Sequence, residues 1–141
     1  MRNKAGALFL FLVTVIFSGC RTAPQLCFRQ MCYALDVVSD PASRERGLMF
    51  RDQLPSKTGM LFVFDHEDIY PFWMKNVKFP IDILWLDADK CVVDIAANVP
   101  ACMAGTCPVY TPTAKARYVL EIPAGDAEKN GIKAGDYFLG K

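Results

Sequence analysis

The side chains best equipped for chemistry gather in one short stretch. Between Tyr70 and Leu86 the chain reads YPFWMKNVKFPIDILWL, with Lys75, Asn76 and Asp82 set among aromatic and aliphatic residues. An ammonium and a carboxylate in apolar surroundings can pair, hold a ligand, or serve as acid and base, because desolvation and neighbouring charge shift their proton affinities. Glu121 adds a second carboxylate inside the apolar run YVLEI. An enzyme built here would use Lys75, Asp82 and Glu121 as its acid–base groups. Against that reading, His66 is the sole histidine. The sequence also lacks a Ser-x-Gly elbow and any evident nucleophile–base arrangement. A single histidine in a polar loop has no second imidazole with which to build a metal site. No catalytic residue, cofactor or metal ligand is therefore assigned.

A strand pair would position these groups. With Val77-Lys78-Phe79-Pro80 as a four-residue loop, Phe72–Asn76 and Ile81–Leu86 form a hairpin in which Lys75 opposes Asp82 and Trp73 opposes Leu84. Directly opposed residues share a sheet face. Trp73, Lys75, Asp82, Leu84 and Leu86 then lie together, and Lys75–Asp82 becomes a cross-strand ion pair beside an indole. As a structural device that pair fixes register while Asn76 caps the turn. As a site, the same groups line a small polar pocket beside Trp73. A slip of one residue would flip the assignment.

Around this hairpin the chain reads as mainly β. A strand is expected over Cys32–Val38, and Asp40-Pro41 supplies an N-cap followed by proline at the first helical position. The helix would run through Arg46 and stop at Gly47. Gly59–Phe64 is apolar on both faces, as a covered central strand should be. Asp65–Asp68 is a polar break, and further strands are expected at Cys91–Val99, Arg117–Ile122 and Tyr137–Leu139. Ala124–Asn130 reads as a short helix ending at Gly131. Pro100–Lys115 should be a long irregular loop, a kind that is often functional. Consecutive strands without helical crossovers favour a small antiparallel barrel- or sandwich-like sheet, of six or seven short strands with two short helices, over a parallel α/β fold.

The N-terminus reads as an export signal. Arg2 and Lys4 precede the apolar run Ala5–Phe17, which is too short to span a bilayer. Phe17-Ser18-Gly19-Cys20 resembles a bacterial lipobox, which implies diacylglyceryl transfer to Cys20 and stable anchoring through its acyl chains. Residues 1–19 are then a signal peptide, 20–31 a lipidated tether, and 32–141 a single domain. The resemblance to sorting signals implies an outer-membrane position facing the periplasm, since Arg21 rather than Asp follows Cys20. Loss of Arg2 and Lys4 turns the formal charge from +1 to −1, which leaves no electrostatic footprint for nucleic acid. The expected partners are the membrane, through the anchor, and an unknown small molecule, glycan or envelope protein.

Of six cysteines, Cys27 and Cys32 have four residues between them, and so do Cys102 and Cys107. Export makes disulfides the expected state of these four. Three connectivities are open and spacing does not choose among them, local pairing being simplest. Zinc sites usually have tighter Cys-x-x-Cys spacing. Cys91 is left over, as a buried inert thiol on a strand face.

Arg46-Gly47-Leu48-Met49-Phe50-Arg51, Gly59-Met60-Leu61-Phe62-Val63-Phe64, Phe72-Trp73-Met74-Lys75-Asn76, Pro80-Ile81-Asp82-Ile83 and Tyr118-Val119-Leu120-Glu121, with Ala124-Gly125 and Gly135-Asp136, together resemble the domain-of-unknown-function 192 family. The resemblance covers residues 32–140. It implies a small β-rich domain, often exported, without an assigned activity, in which a Cys102–Cys107 pair recurs. It also implies that Arg46, Trp73, Lys75, Asn76, Asp82 and Glu121 form the matched polar and aromatic set, a candidate ligand-binding group. Arg44 and Glu45 fit as helix-surface charges. Lys90 stands where the family often has glycine, so a positive-φ turn there would be costlier. The expectation is a non-enzymatic binding module of the cell envelope. The alternatives are an enzyme and a structural component of an envelope assembly.

Overall fold

The computed structural model describes residues 23–140. Residues 1–19, read as an export signal, and Cys20, read as the lipidation site, lie outside the described residues. The elements in order are β1 (Gln25–Phe28), β2 (Met31–Val38), α1 (Pro41–Arg46), β3 (Thr58–Asp68), β4 (Phe72–Trp73), β5 (Ile81–Leu86), β6 (Val92–Val99), β7 (Val109–Tyr110), β8 (Ala116–Pro123), α2 (Asp126–Asn130) and β9 (Leu139–Gly140). Seven strands form one sheet in the order β6-β5-β8-β3-β2-β1-β9, curled into a half-barrel, while β4 and β7 make a separate two-stranded ribbon. The mainly β architecture is the expected one.

Strand alternation sorts the side chains into two cores. Tyr33, Leu35, Leu61, Leu84, Leu86, Leu120 and Ile122 fill the concave side with Phe28, Phe138 and Ala127 of α2. Met60, Phe62, Ile81, Ile83, Trp85 and Val119 point to the outer face, where Leu48, Met74 and Val77 cover them. Backbone bonds from Val92 N to Asp136 O (2.8 Å), Gly135 N to Val92 O (2.8 Å) and Phe138 N to Lys90 O (3.0 Å) draw the two ends of the sheet together.

Local sequence rules explain many boundaries. Asp40 caps α1 by accepting from Ser43 N at 3.0 Å, and Gly47 ends it at φ 45°. Lys90 does take a positive φ, 64°, in the β5–β6 turn, where the Asp87 carboxylate accepts from Asp89 N and Cys91 N. Cysteine pairing is local, Cys27–Cys32 and Cys102–Cys107, with Cys91 free and half-buried.

Several expectations need correction. The hairpin from Phe72–Asn76 to Ile81–Leu86 does not form. All six residues of β5 are buried, so both its edges need backbone partners, and β6 and β8 supply them. β4 is short and pairs with β7 instead, because Met74 O accepts from Val77 N in a tight turn and Asn76 enters the left-handed region at φ 59°. The sheet is not wholly antiparallel either: β2 and β3 run parallel, joined by the connection that holds α1. The Asp65–Asp68 break is an exposed extension of β3. The tether, expected to be ordered only if Cys27 and Cys32 pair, is ordered from Gln25, where that bridge ties β1 to β2. Leu26, Cys27 and Phe28 are buried there.

Candidate functional site

Glu121 sits mid-strand in β8, between Met60 of β3 and Ile83 of β5. Alternation turns it away from Leu120 and Ile122 and onto the outer core. Its side chain is 4% exposed, and Oε2 has no hydrogen-bond partner. Burial raises its pKa from the ordinary 4.5 to about 8, with the Arg51 guanidinium pulling the other way. At neutral pH the group is therefore mainly a neutral acid, holding an O–H that lacks an acceptor. Its backbone is tightly placed: a Cβ on Gly59 would lie 2.9 Å from Glu121 O.

Above Glu121 lies a cavity of about 250 Å³, lined by the segment Arg44–Met49, by Phe62 and Phe64, and by Tyr70–Trp73 with Lys75 and Val77. One wall is α1 and its exit. Arg44 Nη1 donates to Val63 O at 2.9 Å and its guanidinium lies 4.9 Å from the Phe64 ring centroid, which pins the helix to β3. Gly47 lets the chain pass close to Phe62, whose ring would be 3.2 Å from a Cβ. The opposite wall is aromatic. Phe72 meets Phe62 edge-on at 4.8 Å, Phe64 stacks on Tyr70 at 3.6 Å, and Trp85 Nε1 donates to Tyr70 O at 2.8 Å. At the mouth, Lys75 Nζ lies 5.0 Å from the centroid of the Trp73 ring, which is 43% exposed. Arg46 is exposed beside them. Among the described residues neither Arg46 nor Lys75 makes a salt bridge.

The loop 100–115 braces this mouth. Trp73 pairs with Val109, Asn76 N donates to Cys102 O at 3.0 Å, and Cys102 N donates to Val77 O at 3.2 Å. The Asp94 carboxylate anchors the far end by accepting from Thr113 N and Oγ1.

Of the six residues singled out from sequence, Arg46, Trp73, Lys75 and Glu121 thus line one cavity. Asn76 supports its wall through backbone groups: Asn76 O accepts from Phe50 N at 2.9 Å, and both residues have positive φ. Asp82 is elsewhere, and the Lys75–Asp82 ion pair does not exist. Asp82 shares the concave face with Leu84 and Leu86 and is fully buried. Its Oδ1 accepts from Asn98 N (2.7 Å) and Gly125 N (3.1 Å), and its Oδ2 from Ala127 N (2.8 Å). That is a structural carboxylate, fastening the start of α2 to the sheet. The apolar lining from Leu48, Phe62, Phe64 and Val77 had no chemical signature of its own. Arg44, read as a surface charge, is a wall fastener. Among the described residues no cluster of three potential metal ligands exists.

No curated protein matches the chain. Two solved structures resemble it over most of its length. One, from Novosphingobium aromaticivorans, is a protein of unknown function at 30% identity and TM-score 0.71, with 82% of each chain covered. The other, from Sinorhizobium meliloti and named as a candidate transcription regulator, has 30% identity and TM-score 0.73, covering 83% of this chain and 91% of its own. Residues 26–139 match the DUF192 family, described as uncharacterized ACR, and that span holds the whole half-barrel core and every residue of the cavity; the chain belongs to the DUF192 family.

Proposed function

We propose that this domain is a non-enzymatic binding module of the bacterial envelope. Its ligand is a small, mainly apolar organic anion with an oxygen acceptor at the end remote from its charge. The observation that carries this reading is the buried Glu121 carboxyl, unpartnered at the base of an apolar cavity. A buried O–H without an acceptor is costly, so a ligand oxygen placed there gains a bond that water or an apolar ligand end would not supply as well. The cations Arg46 and Lys75 at the mouth suit the anionic end, and Trp73 offers a flat apolar platform beside them. A volume of about 250 Å³ falls below the ~300–1,000 Å³ of drug-sized sites, which favours a compact ligand. The lipobox-like signal ending at Cys20 supports a lipid-anchored, periplasm-facing location.

The test is calorimetric titration with 4-acetylbenzoate and with 4-isopropylbenzoate, which has nearly the same shape but no carbonyl oxygen. The acetyl compound is expected to bind about tenfold or more tighter, and Glu121→Leu is expected to erase that preference. Equal binding of the two by the unmodified protein would overturn the reading, as would an absence of heat with either. A second reading, acid–base catalysis by Glu121, draws on its raised pKa. That reading expects turnover of a bound substrate with an apparent pKa near 8.

A further inference from the structure

The cavity mouth carries large apolar side chains in contact with solvent. Trp73, in its lining, is 43% exposed, and Phe50, in the depression beside it, is 60% exposed. Phe50 holds that position from a left-handed backbone at φ 64°, a conformation that bulky residues normally avoid. The chain's exit from the sheet lies on the same side. Pro24 O accepts from Leu35 N, so Ala23 leaves the sheet beside Asp36. The Asp36 carboxylate is paired with Arg51, next to Phe50. Asp36, Arg46 and Phe50 also line one shallow depression that adjoins the cavity. Only Thr22 and Arg21 separate Ala23 from Cys20, and three residues of extended chain reach about 10 Å.

We propose that this face, with Phe50 and Trp73 as its apolar contacts and Lys75 and Arg46 among them, docks on the leaflet that holds the Cys20 acyl chains. The inference rests on the anchored reading given above. A tether of about 10 Å cannot let the domain stand away from the bilayer. The end of the sheet that the tether leaves from must then approach the headgroups. Aromatic side chains are suited to the interface, and the stems of lysine and arginine reach headgroup phosphates. The opposite end of the β1–β2 hairpin, at Arg29–Gln30, faces away.

Tryptophan fluorescence tests this directly, because the chain has two tryptophans and Trp85 is 1% exposed. The full acylated chain is reconstituted in vesicles of phosphatidylethanolamine and phosphatidylglycerol carrying brominated acyl chains. Trp73 emission, taken as the difference from Trp73→Phe, is expected to fall by about half or more. A tryptophan placed by Gln30→Trp is expected to stay unquenched. Flotation with the vesicles separates the two ideas. Protein that floats without quenching of Trp73, or with equal quenching at position 30, overturns the docking face and leaves the anchor standing. Protein without acylation at Cys20 that fails to float overturns both.

Discussion

Two buried carboxylates on adjacent strands have opposite fates, and hydrogen bonds decide which. Asp82 receives three backbone N–H donors, whereas Glu121 is set among apolar neighbours with Oε2 unpartnered. Asp82→Ala should strand those donors and cost about 3 kcal/mol or more of unfolding free energy in urea titrations. Lys75→Ala removes an exposed cation–π contact, worth about 0.5–1 kcal/mol. The melting temperature should therefore stay nearly constant while affinity for 4-acetylbenzoate falls. For Glu121 the folded pKa of about 8 exceeds the ordinary 4.5, so the native state holds the proton more tightly than the unfolded chain. Its contribution to stability is then complete below pH ~4.5 and is lost as pH rises through ~8. Melting temperatures should show that decline between those limits, and Glu121→Gln should flatten it. The sequence marked both carboxylates as unusual. It did not reveal which one had partners, because the donors to Asp82 come from residues 16 to 45 positions away.

Strands and caps followed local rules where local forces dominate. The apolar run Ile81–Leu86 became a strand with the expected bounds, and Asp40-Pro41 opened α1 as its cap chemistry dictates. Pairing was the unreadable part. The stretch Tyr70–Leu86 offered a plausible hairpin, yet a strand buried on both faces demands two neighbours, and the distant β8 wins one edge of β5. The loop Pro100–Lys115 was legible as an irregular, disulfide-held segment, but not as the brace for Trp73–Val77. Two expected outcomes belong to this scale. Gly59→Ala would press a methyl against Glu121 O, so β8 must shift, at about 1–3 kcal/mol, and affinity for 4-acetylbenzoate should drop with it. Replacing Cys102 and Cys107 with serine opens a small loop worth about 2 kcal/mol by the chain-entropy relation. Hydrogen exchange should then speed up over residues 72–77 and leave β3, β5 and β8 protected. Uniform acceleration across the sheet would show that the loop supports the whole fold rather than the cavity mouth.

For the molecule as a whole, the half-barrel separates a closed core on one side from the cavity on the other. The concave core, with Asp82 and α2, holds the sheet together. The outer core is only partly roofed, by α1, β4 and the disulfide-held loop, and the cavity opens there. The succession of short strands without helical crossovers conveyed the β-rich class from sequence alone. The site was half legible: four of its groups were named, and the apolar enclosure that gives Glu121 its character emerged only from the packing of distant segments. The most direct measurement is a pH titration of the Glu121 carboxyl by carbon-13 NMR, with its resonance assigned by its loss in Glu121→Gln. The account predicts a midpoint near 8 in the free protein and a higher one with 4-acetylbenzoate bound, because a bond to the ligand oxygen favours the protonated acid. A midpoint near 4.5, or one that ignores the ligand, would contradict it.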